Sequence, residues 1–370
     1  MQKETKIYAE VLEDTALEQF NSAMNLDFVV KGALMPDAHT GYALPIGAVV
    51  ATDGVIVPSW VGYDIGCGMC ALKVEGIYGE QIKEHAKDIF DYIYRDVPVG
   101  FKANQKGIDY PLDGLTDHGK EIAIKKGYKH ALGSLGGGNH FIEVGADEDD
   151  NAWIVIHCGS RGVGHGIATH YMKAANPEGK AKDGHWGFDV NSQEGKDYIQ
   201  DLDWSLDYAL ANRKEIMMRV LGCIGEALDM PCWEFFVDDS ELINRNHNHA
   251  TLKDGLWIHR KGATHAEAGM LGVIPGNMRD GSFIVKGKGC KDSLFSSSHG
   301  AGRVLGRKQA KRELNMEDFT KEMVGVTALV EEKTLDESPF AYKNIFDVMR
   351  LQSDLVDVIA HIKPIVNIKG

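Results

Sequence analysis

No run of this 370-residue chain approaches the about 18 apolar residues that a membrane-crossing helix needs. The opening residues Met1-Gln2-Lys3-Glu4-Thr5-Lys6 also lack the apolar stretch of a secretory leader. A cytoplasmic protein with no membrane partner is therefore expected. Cysteine is sparse: Cys67, Cys70, Cys158, Cys223, Cys232 and Cys290 are spaced too irregularly for a disulfide framework, which leaves free thiols, metal ligands or core filler. Positive charge is short as well. With 40 Lys and Arg against 54 Asp and Glu the net charge is −14, which argues against a non-specific nucleic-acid coat, because such binding draws its affinity from basic side chains. A local basic groove remains open. Its candidates are Lys120, Lys125, Lys126 and Lys129, which read as a solvated helix face, and the segment from Arg303 to Arg312. No Pro- or Ser-rich linker and no internal repeat divides the chain, so one integrated domain over residues 1–370 is the simplest organisation.

What the chain has in abundance is glycine, 42 residues, and histidine, 15. The glycines gather beside His, Asp, Cys and Arg, as in Gly136 to Gly138 and Gly159 to Gly164. Glycine is costly in conformational entropy, so this placement reads as a site built from loops. Helical periodicity covers about residues 80–95, 194–228 and 303–324. Short runs rich in Val and Ile predict strands at Ile46 to Val50, Gly54 to Val57, Cys70 to Val74, Phe141 to Val144 and Trp153 to His157. Further strands are predicted at Trp233 to Val237, Gly255 to His259 and Ser282 to Val285. The acidic run Asp147 to Asp150 reads as the solvated tip of a hairpin and not as a calcium loop. Strands in clusters and helices in blocks predict an α+β fold, a sheet core flanked by helices, with an active site made from glycine-rich loops.

Asp64 and Cys67 are close enough to serve one ion from a single turn. His140 and His157 each stand at the edge of a predicted strand, and His247-Asn248-His249 adds more imidazole. A mixed Asp, Cys and His set suits Mn²⁺, Fe²⁺, Co²⁺ or Zn²⁺ better than Mg²⁺ or Ca²⁺. The competing reading is a structural zinc site on Cys67-Gly68-Met69-Cys70, which lacks a second CxxC or HxxxH half.

The stretch Ser296-Ser297-Ser298-His299-Gly300-Ala301-Gly302-Arg303 reads as a loop of small residues presenting a nucleophilic imidazole to a phosphate. The serines would offer hydroxyl donors, and Arg303, Arg307, Lys308, Lys311 and Arg312 nearby positive charge. A lysine nucleophile has no support, because the strings nearest to Lys-x-Asp-Gly, at Lys182-Asp183-Gly184 and Lys253-Asp254-Gly255, have the wrong spacing.

These motifs resemble the RtcB family of GTP-dependent RNA ligases across nearly the whole chain. The resemblance is carried by Met35-Pro36-Asp37-Ala38-His39, Gly62-Tyr63-Asp64-Ile65-Gly66-Cys67-Gly68, Gly136-Gly137-Gly138-Asn139-His140-Phe141-Ile142-Glu143 and His157-Cys158-Gly159-Ser160-Arg161-Gly162. It continues through His247-Asn248, Pro275-Gly276-Asn277-Met278, Ser298-His299-Gly300-Ala301-Gly302-Arg303 and the terminal Ile368-Lys369-Gly370. It implies that Asp64, Cys67, His140, His157 and His247 ligate two Mn²⁺ ions, with Cys67 bridging, and that His299 is guanylylated by GTP. It implies nucleotide contacts at Asn139, His140, Phe141, Ile142, Glu143, His247, Asn248, Pro275, Gly276, Asn277, Met278, Ser282, His299, Gly300, Ala301, Gly302 and Lys369, with Tyr342 as a further candidate.

The reaction implied joins an RNA 3′-phosphate or 2′,3′-cyclic phosphate end to a 5′-hydroxyl end, in tRNA splicing or RNA repair, and leaves open an activating protein partner. Arg161 is expected to clamp RNA phosphates, and Asp37 to act as a base or an outer group behind the ligands. Asn277 and Cys158 stand where serine is usual, and Cys70 where arginine is frequent; substrate choice is where these departures would tell. Two other classes use fewer of the motifs. A metal-dependent cyclic-phosphate phosphoesterase needs neither His299 nor Lys369. A non-catalytic RNA-binding module needs no ligand set, and calls for basic charge and stacking aromatics that the composition does not supply.

Overall fold

The structure, a computed structural model, describes residues 3–182, 184–230 and 240–370. Its centre is a mixed sheet in which Leu271–Pro275, Ser282–Gly287, Val356–Lys369, Phe141–Ala146, Asn151–Cys158, Gly68–Tyr78 and Ile243–Asn246 follow one another as hydrogen-bonded neighbours. A second sheet orders Glu4–Ile7, Val29–His39, Ile46–Thr52, Leu256–Lys261 and Asn248–Lys253. Helices flank the sheets, so the architecture is α+β as the element order predicts.

The two-residue side-chain period of a strand explains how one sheet serves both core and site. In Phe141–Ala146 and Asn151–Cys158, antiparallel with Phe141 opposite His157 and Ile142 opposite Ile156, the even-numbered Ile142, Val144, Ile154 and Ile156 face one side. There they pack on Ile216, Met217, Val220 and Ile224 of the long helix Gln193–Ala227. Each such buried Ile or Met side chain is worth about 2–5 kcal/mol against truncation to alanine. The opposite face carries Phe141, Glu143 and His157 towards a cavity. The helix starts at Ser192, whose hydroxyl accepts from the Gly195 N–H at 3.0 Å. Along its buried side it also supplies Arg213, fully buried, whose Nη1 donates to the Gly66 and Cys158 carbonyls at 2.7 and 2.8 Å. That guanidinium fastens the Asp64–Cys67 loop to the end of the His157 strand.

Seven of the eight predicted strands fall on observed ones; the eighth, Trp233 to Val237, lies outside the described residues, as does Cys232. Asp147 to Asp150 forms the tip of the Phe141–Ala146 and Asn151–Cys158 hairpin. The region 303–324 is not one helix but two, Arg307–Glu313 and Met316–Glu322, because Asn315 caps the second by accepting from the Asp318 N–H. Ser296–Ser298 corrects the sequence reading outright. These serines form a fully buried strand paired to Ala263–His265, not a loop, and the loop begins only at His299. The Ser298 hydroxyl accepts from the Asp37 N–H at 3.4 Å and the Ser296 hydroxyl donates to the Leu294 carbonyl, so neither is presented to a ligand.

Candidate active site

Asp64 and Cys67 lie on the loop after the short helix Pro58–Val61, His140 just before its strand, His157 near the end of the next, and His247 between two strands. The fold brings all five together. Cys67 Sγ lies 3.3 Å from His140 Nε2 and 3.2 Å from His157 Nε2; His140 Nε2 is 3.0 Å from Asp64 Oδ2, and His157 Nε2 is 3.3 Å from His247 Nε2. Two triads result, Cys67 with His157 and His247, and Cys67 with Asp64 and His140, each with donor atoms within 4.8 Å of one another. Cys67 belongs to both. His157 Nδ1 is 3.0 Å from the Asn139 carbonyl, which takes its N–H and turns the Nε2 lone pair into the cluster. Burial holds both His157 and His247 well below the ordinary imidazole range, hence neutral, and raises the Cys67 thiol to about 12. His247 Nδ1 is buried without a partner, so the cluster does not close on itself by hydrogen bonding alone. Burial pulls His140 down too, but Cys158, Cys67 and Asp64 outweigh it and hold this ring well above the ordinary range, so it must give up a proton to ligate. With that proton lost, three imidazoles converging beside a thiol and a carboxylate fit a divalent transition metal. Cys70, by contrast, points into the core among Leu72, Ile142 and Ile154, so the structural zinc reading of Cys67 and Cys70 is wrong.

His299 sits against this cluster, its ring centroid 4.8 Å from that of His247. Its Nδ1 is 2.7 Å from Oδ2 of Asp37, a fully buried carboxylate that also accepts from the backbone N–H groups of His299 and Gly300 at 3.2 and 3.3 Å. The carboxylate can only accept from Nδ1–H, which leaves the lone pair on Nε2. Asp37 is thus the group that fixes tautomer and ring orientation. Two glycines make the close approach available. Gly302 at φ +75° passes where any Cβ would collide with the Asp37 carbonyl, and at Gly262, φ +62°, a Cβ would stand 3.0 Å from His299 Cε1.

A cavity of about 300 Å³ opens beside His299. It is lined by Asn139, Phe141, Glu143, Pro275, Gly276, Asn277, Met278, His299, Gly300, Ala301, Gly302, Tyr342 and Lys369, all named from the sequence. At its inner end Glu143 is almost fully buried, with Ser282 and Asn367 against its carboxyl and one carboxylate oxygen outside hydrogen-bonding geometry with either of them. Burial raises this carboxyl to about 8, against the opposing pull of Ser282, Lys369 and Asn367. The rim is held by Glu337, which accepts from Lys369 Nζ and Tyr342 Oη at 2.7 Å each and from Arg307 Nη1 at 2.6 Å. Burial alone would raise Glu337; Lys369 and Arg307 overcome it and hold the carboxyl at about 2.

Not every residue named from the sequence points into this cavity. His140 and His247 belong to the Asp, Cys and His cluster, and the Ile142 side chain is in the core on the far face of its strand. Asn248 braces loops instead, donating to the Asp64 carbonyl at 3.1 Å and accepting from the Gly262 N–H at 2.8 Å. Arg161, at φ +60°, spends Nε on Ser134 Oγ and Nη2 on the Gly100 carbonyl, and its Nη1 lies beside Gly136 near His140. Arg303 and Arg307 line the cavity, paired with Tyr342, Glu337 and Asp336 rather than spread over an open groove. Sequence reasoning missed Asn367, Glu337 and Arg213. The two-residue step from Lys369 would have found Asn367; nothing local marks the other two.

A family model described as tRNA-splicing ligase RtcB matches residues 19–131 and 123–370. The chain is 34% identical to the RNA-splicing ligase RtcB of Escherichia coli K12, covering 97% of this chain and 95% of that one. It is 29% identical to the tRNA-splicing ligase RtcB of Archaeoglobus fulgidus (98% and 92% covered), and 28% identical to the RNA-splicing ligase RtcB of Mycobacterium bovis (91% and 96% covered). With the sequence matched over nearly its whole length and the Asp, Cys and His residues gathered beside the His299 imidazole, the chain belongs to the RtcB family.

Proposed function

We propose that this protein is an RNA ligase, working as a single domain, that joins an RNA 3′-phosphate or 2′,3′-cyclic phosphate end to a 5′-hydroxyl end, with GTP as co-substrate, in tRNA splicing or RNA repair. The observation that carries the reading is the placement of His299: Nδ1 lies 2.7 Å from the Asp37 carboxyl, so Nε2 is the nitrogen left for a phosphate, and the ring stands between the Asp, Cys and His cluster and the nucleotide-sized cavity. Asp64, Cys67, His140, His157 and His247 would hold two Mn²⁺ ions, which neutralise phosphate charge when bound.

The rest of the chemistry falls to the chain's own groups. His299 Nε2 attacks the α-phosphorus of GTP, forming an N–P bond as the bond to pyrophosphate breaks, and Asp37 stabilises the cationic ring that results. An oxygen of the RNA 3′-phosphate then displaces Nε2, which recovers its lone pair, and the RNA carries GMP. Attack by the 5′-hydroxyl oxygen forms the new phosphodiester, expels GMP and releases a proton to solvent; a cyclic end must first be opened by water. Glu143 in its ionised form would accept from the guanine N1–H and exocyclic amine, both donors, which favours guanine over adenine. Lys369 and the Pro275 to Met278 loop would bound the base, and Arg161 Nη1 would meet an RNA phosphate near His140.

The test is a joining assay with two oligonucleotides, one 3′-phosphorylated and one with a 5′-hydroxyl, in Mn²⁺ with GTP, ATP or no nucleotide. Joined product with GTP alone supports the reading. Joining without nucleotide, or only removal of the phosphate, contradicts it.

A further inference from the structure

A second concavity, of about 350 Å³, meets the cluster from the other side and shares only Ile46, Asn139 and His299 with the nucleotide cavity. Its floor is made by Asp64, Cys67 and His247 beside His299, and its walls include Tyr63 and Lys261. At its mouth stands Tyr42, 73% exposed. An exposed aromatic ring on a loose loop would mean little, but this one has a fixed backbone. Gln19 donates to the Gly41 and Tyr42 carbonyls at 3.0 and 2.6 Å and accepts from the Gly41 N–H at 3.0 Å, so both residues are tied to the helix Asp14–Met24. An exposed ring on a tied-down backbone, at the lip of a cleft that reaches His299 and the Asp, Cys and His cluster, has the placement of a stacking platform.

From this arrangement we infer that the cleft receives the terminal nucleotide of the RNA strand carrying the 3′-phosphate, with its base stacked on Tyr42 and its phosphate directed at His299. The inference rests on the proposed ligase reaction and extends it. GMP on His299 occupies the nucleotide cavity, so the accepting phosphate must approach the same imidazole from elsewhere, and this cleft reaches both His299 and the cluster. A base bound through stacking is read for its π-face and not its hydrogen-bonding edge, so the enzyme tolerates any of the four bases at the 3′ end.

The experiment follows transfer of GMP from guanylylated protein to a 3′-phosphorylated oligonucleotide with no 5′-hydroxyl strand present, comparing wild type with Tyr42→Ala and Tyr42→Trp. Each is read with a normal RNA and with one whose 3′-terminal nucleotide is abasic. Labelling of the protein by GTP needs no RNA and serves as the control for fold and first step. Tyr42→Ala is expected to raise the KM for normal RNA between about fivefold and a hundredfold, and Tyr42→Trp to restore it. The abasic RNA should show no difference between wild type and Tyr42→Ala. A 2-aminopurine at the 3′ terminus should be quenched on binding to wild type and stay bright with Tyr42→Ala. Normal labelling with a KM unchanged within twofold, or an equal loss with the abasic RNA, overturns the Tyr42 platform and leaves the ligase reading intact. Failure of wild-type protein to label overturns both.

Discussion

Glu143 to Gln is the substitution whose consequences the structure fixes most tightly. The carboxyl is almost fully buried, and burial holds it at about 8 instead of 4.5. A carboxyl whose folded value lies above its unfolded one keeps its proton more tightly when folded. Its contribution to stability is therefore complete below about 4.5 and is lost as pH rises towards 8. Between pH 5 and pH 8.5 the wild type should lose on the order of 3–4 kcal/mol through this one group. Glutamine has nearly the same shape and nothing to ionise, so all other titrations cancel in the difference between the two proteins. The assay is urea denaturation of both at pH 5, 6, 7, 8 and 8.5. The stability gap should widen steadily in favour of Glu143→Gln and flatten above pH 8. Nucleotide binding should move the other way. In the proposed binding mode guanine takes the ionised carboxylate, so wild-type affinity for GTP should rise with pH up to about 8 and release a proton on binding at pH 7, while Glu143→Gln should bind GTP weakly at every pH. A gap that stays within about 0.5 kcal/mol across the range would refute the assignment of Glu143 as a buried carboxyl strained for its ligand.

Asp37→Asn should leave the fold intact but lower the rate of GTP-dependent labelling by about 10²- to 10⁴-fold, because an amide no longer secures Nδ1–H and the Nε2 lone pair; single-turnover labelling measures it. Cys67→Ser removes the one atom common to both triads. Equilibrium dialysis with metal analysis should then find one Mn²⁺ or fewer where the wild type is expected to bind two. Lys369→Met leaves Glu337, 3% exposed, with Arg307 and Tyr342 but without its nearest ammonium. Stability should fall by about 1–3 kcal/mol in denaturant titration, and GTP affinity should fall with it.

The parts of the site legible in the sequence were those whose chemistry is carried by residue type within a short motif. Asp64 and Cys67 share one loop, Asn139 and His140 lead directly into the strand that carries Phe141 and Glu143, and His299 to Gly302 form another loop; these side chains gather at one place in the fold, whereas Ile142 faces the core. Legibility failed where the decisive partner is distant. Arg213 holds the Gly66 loop from inside a long amphipathic helix, where its spacing is that of any core-facing position. Glu337 is an unremarked acid in a 3₁₀ turn until the C-terminal strand delivers Lys369 to it. The serines before His299 misled because small polar residues suit loops, whereas here pairing with Ala263–His265 buries them. Fold class was legible through the clustering of Val- and Ile-rich runs. The longest strand, Val356–Lys369, was not, since Pro364 and the bulge beside it break the alternation. The helix Arg161–Ala175 was likewise hidden by the glycines at 162, 164 and 166.

The central claim is that His299 Nε2 becomes covalently guanylylated. Incubation with α-labelled GTP and Mn²⁺, followed by denaturing electrophoresis and peptide mass analysis, tests it directly. Wild-type protein should retain the label, acid-labile and alkali-stable as a phosphoramidate is, on the peptide containing His299, and His299→Ala should carry none. Label on any other residue, or equal labelling of His299→Ala, would contradict the account.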